Sequence, residues 1–168
     1  MLRTETITKD QMEKLVYGNP DIHMSDFAYF SQIGGNGDIY YSLVWNDEEL
    51  VGVAKLWGKG MWRPETYAIS FMSIHHKYIG KGFATFLAKE IFRWAKEKNV
   101  PLSVTDYSFS GWHKLKPLFN ELSKQMGVEF YDTDSKLLTT RGEKWEEDPQ
   151  RPLKEEFNRN KKLAGISS

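Results

Sequence analysis

Apolar residues change their spacing several times along the chain, and each change marks an element. Leu2 to Ile7 alternates polar and apolar, as a strand does when one face meets a core. Thr8-Lys9-Asp10-Gln11 has the form of a capping box, and it opens a helix that turns Met12, Leu15 and Val16 inward. Ser25 is expected to cap a second short helix carrying Phe27 and Phe30. The breaker Gly34-Gly35-Asn36-Gly37-Asp38 precedes two apolar runs, Ile39 to Trp45 and Leu50 to Trp57, joined by Asn46-Asp47-Glu48-Glu49. That pattern predicts an antiparallel hairpin. Thr66 to Ile74 is almost continuously apolar, which predicts a central strand covered on both faces.

From Phe83 the period becomes helical. Phe83, Phe86, Leu87, Ile91, Trp94 and Ala95 share one face, and Lys89, Glu90, Arg93, Lys96 and Glu97 take the other. Asn99 and Pro101 end this helix. Leu102 to Tyr107 reads as the next strand, and Leu115, Leu118, Phe119, Leu122 and Met126 as another amphipathic helix closed by Gly127. Pro117 belongs in its first turn, where the missing N–H removes no helical hydrogen bond. Val128 to Tyr131 and Leu137 to Thr140 predict a last hairpin. After Arg141 charges dominate, and 142–168 reads as a tail unable to form its own core, with Leu153 and Phe157 at i,i+4 spacing. Residues 1–141 thus form one α/β domain, with a mixed, mainly antiparallel sheet flanked by helices.

Composition narrows the function. The 168 residues are 40% hydrophobic, enough for one real core. With 23 basic and 23 acidic residues no net field attracts a polyanion, so nucleic-acid binding would need Lys59, Arg63, Lys114, Lys116 and Lys124 to gather on one face. The absence of cysteine excludes disulfides, thiolate zinc sites and a cysteine nucleophile. No apolar leader stands in Met1 to Thr8 and no 18-residue apolar run exists, so a cytoplasmic protein without a membrane span is expected. His23, His75, His76 and His113 never fall two to a helix face, so no metal site is expected. Gly-x-Ser-x-Gly is absent too, leaving a serine hydrolase unsupported.

Two Gly-Lys-Gly triplets remain. Gly58-Lys59-Gly60 lies between two predicted strands, whereas Gly80-Lys81-Gly82 lies between a strand and a helix. Only the second can cradle a phosphate, because glycines let backbone N–H groups approach an anion and the following helix adds unpaired donors and a positive dipole end. The expected donors are Gly80, Lys81, Gly82, Phe83 and Ala84. The pattern is neither a Walker A loop nor a dinucleotide-binding fingerprint.

The segment Met72-Ser73-Ile74-His75-His76-Lys77-Tyr78-Ile79-Gly80-Lys81-Gly82-Phe83-Ala84 resembles the cofactor motif of the GNAT (Gcn5-related) N-acetyltransferases. That motif runs from a hydrophobic strand through an aromatic and Gln/Arg-x-x-Gly-x-Gly/Ala into a helix. Gly82 and Ala84 fill its two small places, while Ile79 stands at the Gln/Arg place. The order of elements from residue 2 to about 140 is similar to the family's β-α-α-β-β-β-α-β-α-β-β plan.

The resemblance implies acetyl-CoA as cofactor, held by Met72, Ser73, Ile74 and Ile79 to Ala84, and transfer of its acetyl group to an amine on a small molecule or a protein. It implies an oxyanion-stabilising N–H at Ser73 or Ile74, and a base drawn from His75, His76 or Asp106. A tyrosine that protonates the departing thiolate in relatives is Ser123 here, so Tyr107, Tyr131 or Ser123 are the acids to consider. Trp57, Trp62 and Tyr67, with Phe27, Tyr29 and Phe30, are core residues or the lining of an acceptor pocket. Two alternatives stay open: a catalytically weak GNAT-fold protein that binds another protein, and acyl transfer to a nucleic acid or nucleotide. A monomer or homodimer is expected.

Overall fold

The computed structural model of the chain describes residues 1–27, 33–108 and 110–136. Tyr29, Phe30, the strand expected over 137–140 and the tail 142–168 lie outside them. Strand β1 (Leu2–Thr8) runs into helix α1 (Lys9–Tyr17) through the expected capping box. Thr8 Oγ1 accepts the Gln11 N–H at 3.2 Å, and Gln11 Oε1 accepts the Thr8 N–H at 2.9 Å. Strands β2 (Tyr40–Asn46) and β3 (Glu49–Trp57) form the hairpin, and β4 (Tyr67–Ile74) follows. Helix α2 (Phe83–Lys98) leads to β5 (Leu102–Val104). A π-helical turn over Gly111–Leu115 runs into α3 (Lys116–Met126), with Pro117 in its first turn, and β6 (Phe130–Tyr131) comes last.

The six strands pair in the order β1-β2-β3-β4-β5-β6. Pairings through β4 are antiparallel, while β5 joins β4 and β6 joins β5 in parallel. The mixed, mainly antiparallel sheet is therefore as expected. Helix α1 covers one face, over Met12, Tyr41, Leu43 and Val53. Helices α2 and α3 cover the other, over Val44, Leu56, Ile69, Leu87, Ile91, Phe92 and Phe119. Each such fully buried side chain contributes about 1.5–3 kcal/mol to folding.

Four expectations are corrected. Ser25 caps no helix: it lies inside a 3-10 turn, Met24–Asp26, and Phe27 is extended, bridged to His75. Val128 is not in a strand, because its N–H closes the end of α3 on the Ser123 carbonyl at 3.2 Å. On α2, Phe86 is 42% exposed while Glu90 is buried. Burial pushes the Glu90 carboxyl up, but hydrogen bonds from Arg93, Thr6 and Thr4 hold it below its ordinary value. Those bonds span 2.6–2.9 Å, and the two from Thr4 and Thr6 tie α2 to β1.

The fourth correction shapes the site. β5 is three residues long, not the six expected, because β4 is bulged. Register steps from Leu56 opposite Ile69 to Lys55 opposite Phe71, so Ser70 is an extra residue, and its hydroxyl donates to the Lys55 carbonyl at 3.2 Å. Such a bulge bends its strand and increases the local twist. β5 follows β4 from Tyr67 to Ile69 only, and the Thr105 N–H on the Ile69 carbonyl, at 3.2 Å, closes the ladder. Beyond it the strands part.

Candidate functional site

After β4 the chain makes a 3-10 turn at His76–Tyr78 and a tight loop in which the Lys81 N–H donates to the Tyr78 carbonyl at 3.2 Å. Gly80 and Gly82 have φ of +82° and +86°, which favours glycine at both. A Cβ at either would meet no heavy atom within 4 Å, so nothing crowds this side of the loop. The helix starts with the Thr85 N–H on the Gly82 carbonyl at 3.2 Å, and no side chain caps Gly82. Among the described residues the N–H groups of Gly80, Gly82, Phe83 and Ala84 have no backbone partner. Four donors without backbone partners and the positive end of a 16-residue helix therefore line one open groove. Lys81, expected as a fifth backbone donor, uses its N–H in the turn.

The groove in front of these donors is walled by Met72, Ile74, Tyr78 and Ile79 on one side and by Ser110, Lys114, Leu115 and Leu118 on the other. At Met72 and Leu115 it meets a second cavity, the cleft between the parted β4 and β5. Ser70, Phe71, Asp106 and Tyr107 line that cleft. The His75 N–H donates to the Val51 carbonyl at 2.9 Å. Strand alternation then points the Phe71 and Ser73 N–H groups at β3, and those of Met72 and Ile74 away from β3 toward the cleft. Of the two expected oxyanion donors, Ser73 is therefore turned the wrong way and Ile74 the right way. Met72 joins it.

Asp106 stands at the mouth of the splay. Burial raises its carboxyl above the ordinary carboxylate range, partly offset by the Thr105 hydroxyl at 3.4 Å. Tyr107 lines the same cleft, but its hydroxyl donates to Asp132 at 2.7 Å. Burial and that carboxylate push the phenol far up, which makes it a poor acid. Ser123 donates to the Val128 carbonyl at 2.6 Å and lines neither cavity. Tyr131 bonds Glu129 beneath the Arg63 guanidinium, also away from both.

His75 lines a separate acidic hollow with Asp26, Glu49 and Tyr78. Its Nδ1 accepts the Lys77 N–H at 3.2 Å and its Nε2 lies 3.4 Å from Asp26. Burial lowers its basicity, opposed by Asp26. With His76 and Asp26 it forms a cluster whose ligand-type atoms lie within 4.8 Å of one another. The Lys77 amide holds the Nδ1 lone pair, so Nε2 carries the ring proton toward Asp26, the wrong state for binding a cation there.

Among the described residues the expected aromatic ones do not gather. Tyr67 is in the α2-side core, 5.1 Å from Trp94, Phe27 is buried against His75, and Trp62 is 54% exposed beside Trp57. Of the basic residues, Lys116 pairs with Asp132 at 2.7 Å, Lys59 with Glu65 at 3.5 Å, and Arg63 lies over the Tyr131 ring.

The model of the acetyltransferase (GNAT) family matches residues 4–107. This chain is a GNAT-family protein. Its matched region runs from β1 through the bulge and the glycine loop to Asp106 and Tyr107. No curated protein matches the chain. Among solved structures, an acetyltransferase of Bacillus subtilis in complex with CoA is 23% identical, over 76% of each chain, at a TM-score of 0.40. An aminoglycoside acetyltransferase from an uncultured soil metagenomic sample, in complex with trehalose, is 9% identical over 83% of this chain and 95% of its own, at 0.42. A transcriptional regulator from Bacillus halodurans C-125 is 15% identical over 83% and 99%, at 0.43. Among the described residues no helix is long and apolar enough to cross a membrane.

Three features of this candidate site were not legible in the sequence: two groove residues, the bulge, and the part of Met72, expected only as a cofactor contact, as a donor. Lys114 and Ser110 wall the groove from the turn before α3, about thirty residues from the loop they face. The bulge at Ser70 left no mark, because serine in an apolar strand signals nothing by itself. Met72 became a cleft-facing donor only once that bulge fixed the alternation.

Proposed function

We propose that this protein transfers an acetyl group from acetyl-CoA to an amine. The observation that carries the reading is a pair of adjoining cavities that share Met72 and Leu115 as walls, one at the open glycine donors and the other at the bulge and Asp106. Gly80, Gly82, Phe83 and Ala84 fit the pyrophosphate, since their N–H groups lack partners and no Cβ stands in the way. Lys114 adds a cation at the groove wall. When bound, acetyl-CoA supplies an acyl group already activated as a thioester.

The chain's own residues do the rest. The Met72 N–H faces the cleft and polarises the carbonyl oxygen where negative charge develops. Asp106, its carboxyl raised toward neutrality, accepts the proton that the attacking nitrogen sheds and passes it to solvent or to the departing sulfur. One amine and one thioester thus become one amide and one thiol. Tyr107 stays with Asp132 and shapes the wall.

Coenzyme A release across a panel of amines tests this reading. Asp106→Asn is expected to lower kcat by about 10²–10⁴-fold. A base whose pKa is raised must lose its proton at higher pH, so the wild-type acid limb lies above the ordinary aspartate range, and the variant lacks it. A protein that binds acetyl-CoA yet releases no coenzyme A with any amine contradicts the enzyme.

A further inference from the structure

We propose that the accepted amine carries a carboxylate, bound by Lys55 and Ser73 on the α1 face of the sheet. This rests on the acetyl-transfer reading and deepens it. Along this face the other buried positions are mostly apolar or aromatic, with Tyr41, Leu43, Leu50 and Val53 as examples, and the buried His75 faces Asp26. Lys55 is 8% exposed and Ser73 1%. Register sets Lys55 opposite Phe71 and Val53 opposite Ser73, so the lysine and serine are diagonal neighbours on one face, about 7 Å apart along the sheet.

Neither has a partner. Among the described residues no carboxylate lies within ion-pair distance of Lys55, and the Ser73 hydroxyl makes no hydrogen bond. Other buried polar groups are satisfied: Glu90 by Arg93 and two threonines, Ser42 by Thr6, Ser103 by Thr66. An unpartnered buried polar group destabilises the fold, and the Ser73 hydroxyl is the one such side-chain atom among the described residues, diagonal to a largely buried lysine that makes no ion pair, so the pair calls for a cause. Burial lowers the Lys55 pKa, as it must when no anion is near. Methionine would fill the same space without that cost.

A bound anion supplies the cause. One cation and one hydroxyl donor suit the two oxygens of a carboxylate. The place is right for an acceptor, because the Ser70 bulge is bonded to the Lys55 carbonyl and Phe71, beside both residues, also lines the cleft. Asp106 repels a carboxylate and attracts an ammonium, so the two ends orient the molecule: amine toward Asp106, carboxylate toward Lys55.

The test uses matched pairs, phenylalanine against 2-phenylethylamine and lysine against 1,5-diaminopentane, with Lys55→Met and Ser73→Ala. In the wild type kcat/KM favours the carboxylate member of each pair. In Lys55→Met that ratio falls by about a hundredfold, mainly through KM, the size expected on removing one member of a desolvated charge pair. Lys55→Met also melts higher than wild type, since a partly desolvated charge without an ion pair is gone, and acetyl-CoA still stabilises it. A ratio near one in the wild type, or an unchanged ratio in Lys55→Met, overturns the carboxylate site and leaves acetyl transfer standing. If no amine is acetylated, N-acetylphenylalanine binding in the presence of coenzyme A decides instead. Binding by wild type and loss in Lys55→Met supports the site, and equal behaviour overturns it.

Discussion

Gly58-Lys59-Gly60 and Gly80-Lys81-Gly82 are the same three residues in one chain, and the fold uses them differently. At Gly58 a Cβ would lie 2.2 Å from the Asp38 carbonyl oxygen, so this glycine exists to let two backbones pass. Lys59 pairs with Glu65, and the loop returns to β4. At Gly80 and Gly82 no atom lies within 4 Å of a Cβ, Lys81 makes no ion pair among the described residues, and a helix follows with its first N–H groups unpartnered. The first triplet is closed by the protein at Gly58; the second has space at both glycines. The following element decides, because only a helix start gathers several unpaired donors at one point.

Substitutions sharpen this contrast. Gly58→Val is expected to have the largest effect on folding, about 3 kcal/mol or more, because backbone cannot yield to the new atoms. Thermal melting would register it as a drop of several degrees, with the acetyl-CoA shift retained; a melt like the wild type's would sink the crowding account. Gly60 and Gly82 share nearly the same backbone, with φ of +84° and +86° and free space around both. Alanine at either is expected to cost about 1–2 kcal/mol of strain, and a clear inequality in their melts would show that something else shapes one loop. The smallest effect separates the lysines. Lys81→Ala weakens acetyl-CoA about threefold at low salt and not at high salt, while Lys59→Ala changes nothing, as surface charge effects of this kind are modest and screened.

Local chemistry was legible and long-range geometry was not. The Thr8/Gln11 box, Pro117 and the glycine loop are each decided within a few residues, and each stands where the sequence placed it. Glu90 looked solvated because its partners Thr4 and Thr6 lie more than eighty residues away, in a strand no helical period can reveal. The short β5 depends on an extra residue in its neighbour, Ser70. Lys55 and Ser73 broke the apolar alternation of their strands, a signal present in the sequence, but one that becomes meaningful only when the register sets them side by side. His75 followed the motif strand as expected and turned into the separate acidic hollow, since Phe27 and Asp26 hold it there.

The central claim is that the second triplet holds the pyrophosphate of acetyl-CoA. Melting wild type, Gly60→Asp and Gly82→Asp with and without acetyl-CoA tests it most directly, because both variants place a carboxylate on a left-handed glycine with space around it. Acetyl-CoA is predicted to stabilise wild type and Gly60→Asp alike, by an amount that grows with its concentration, and to leave Gly82→Asp unmoved. An equal shift in all three proteins, or none in any, would contradict the account.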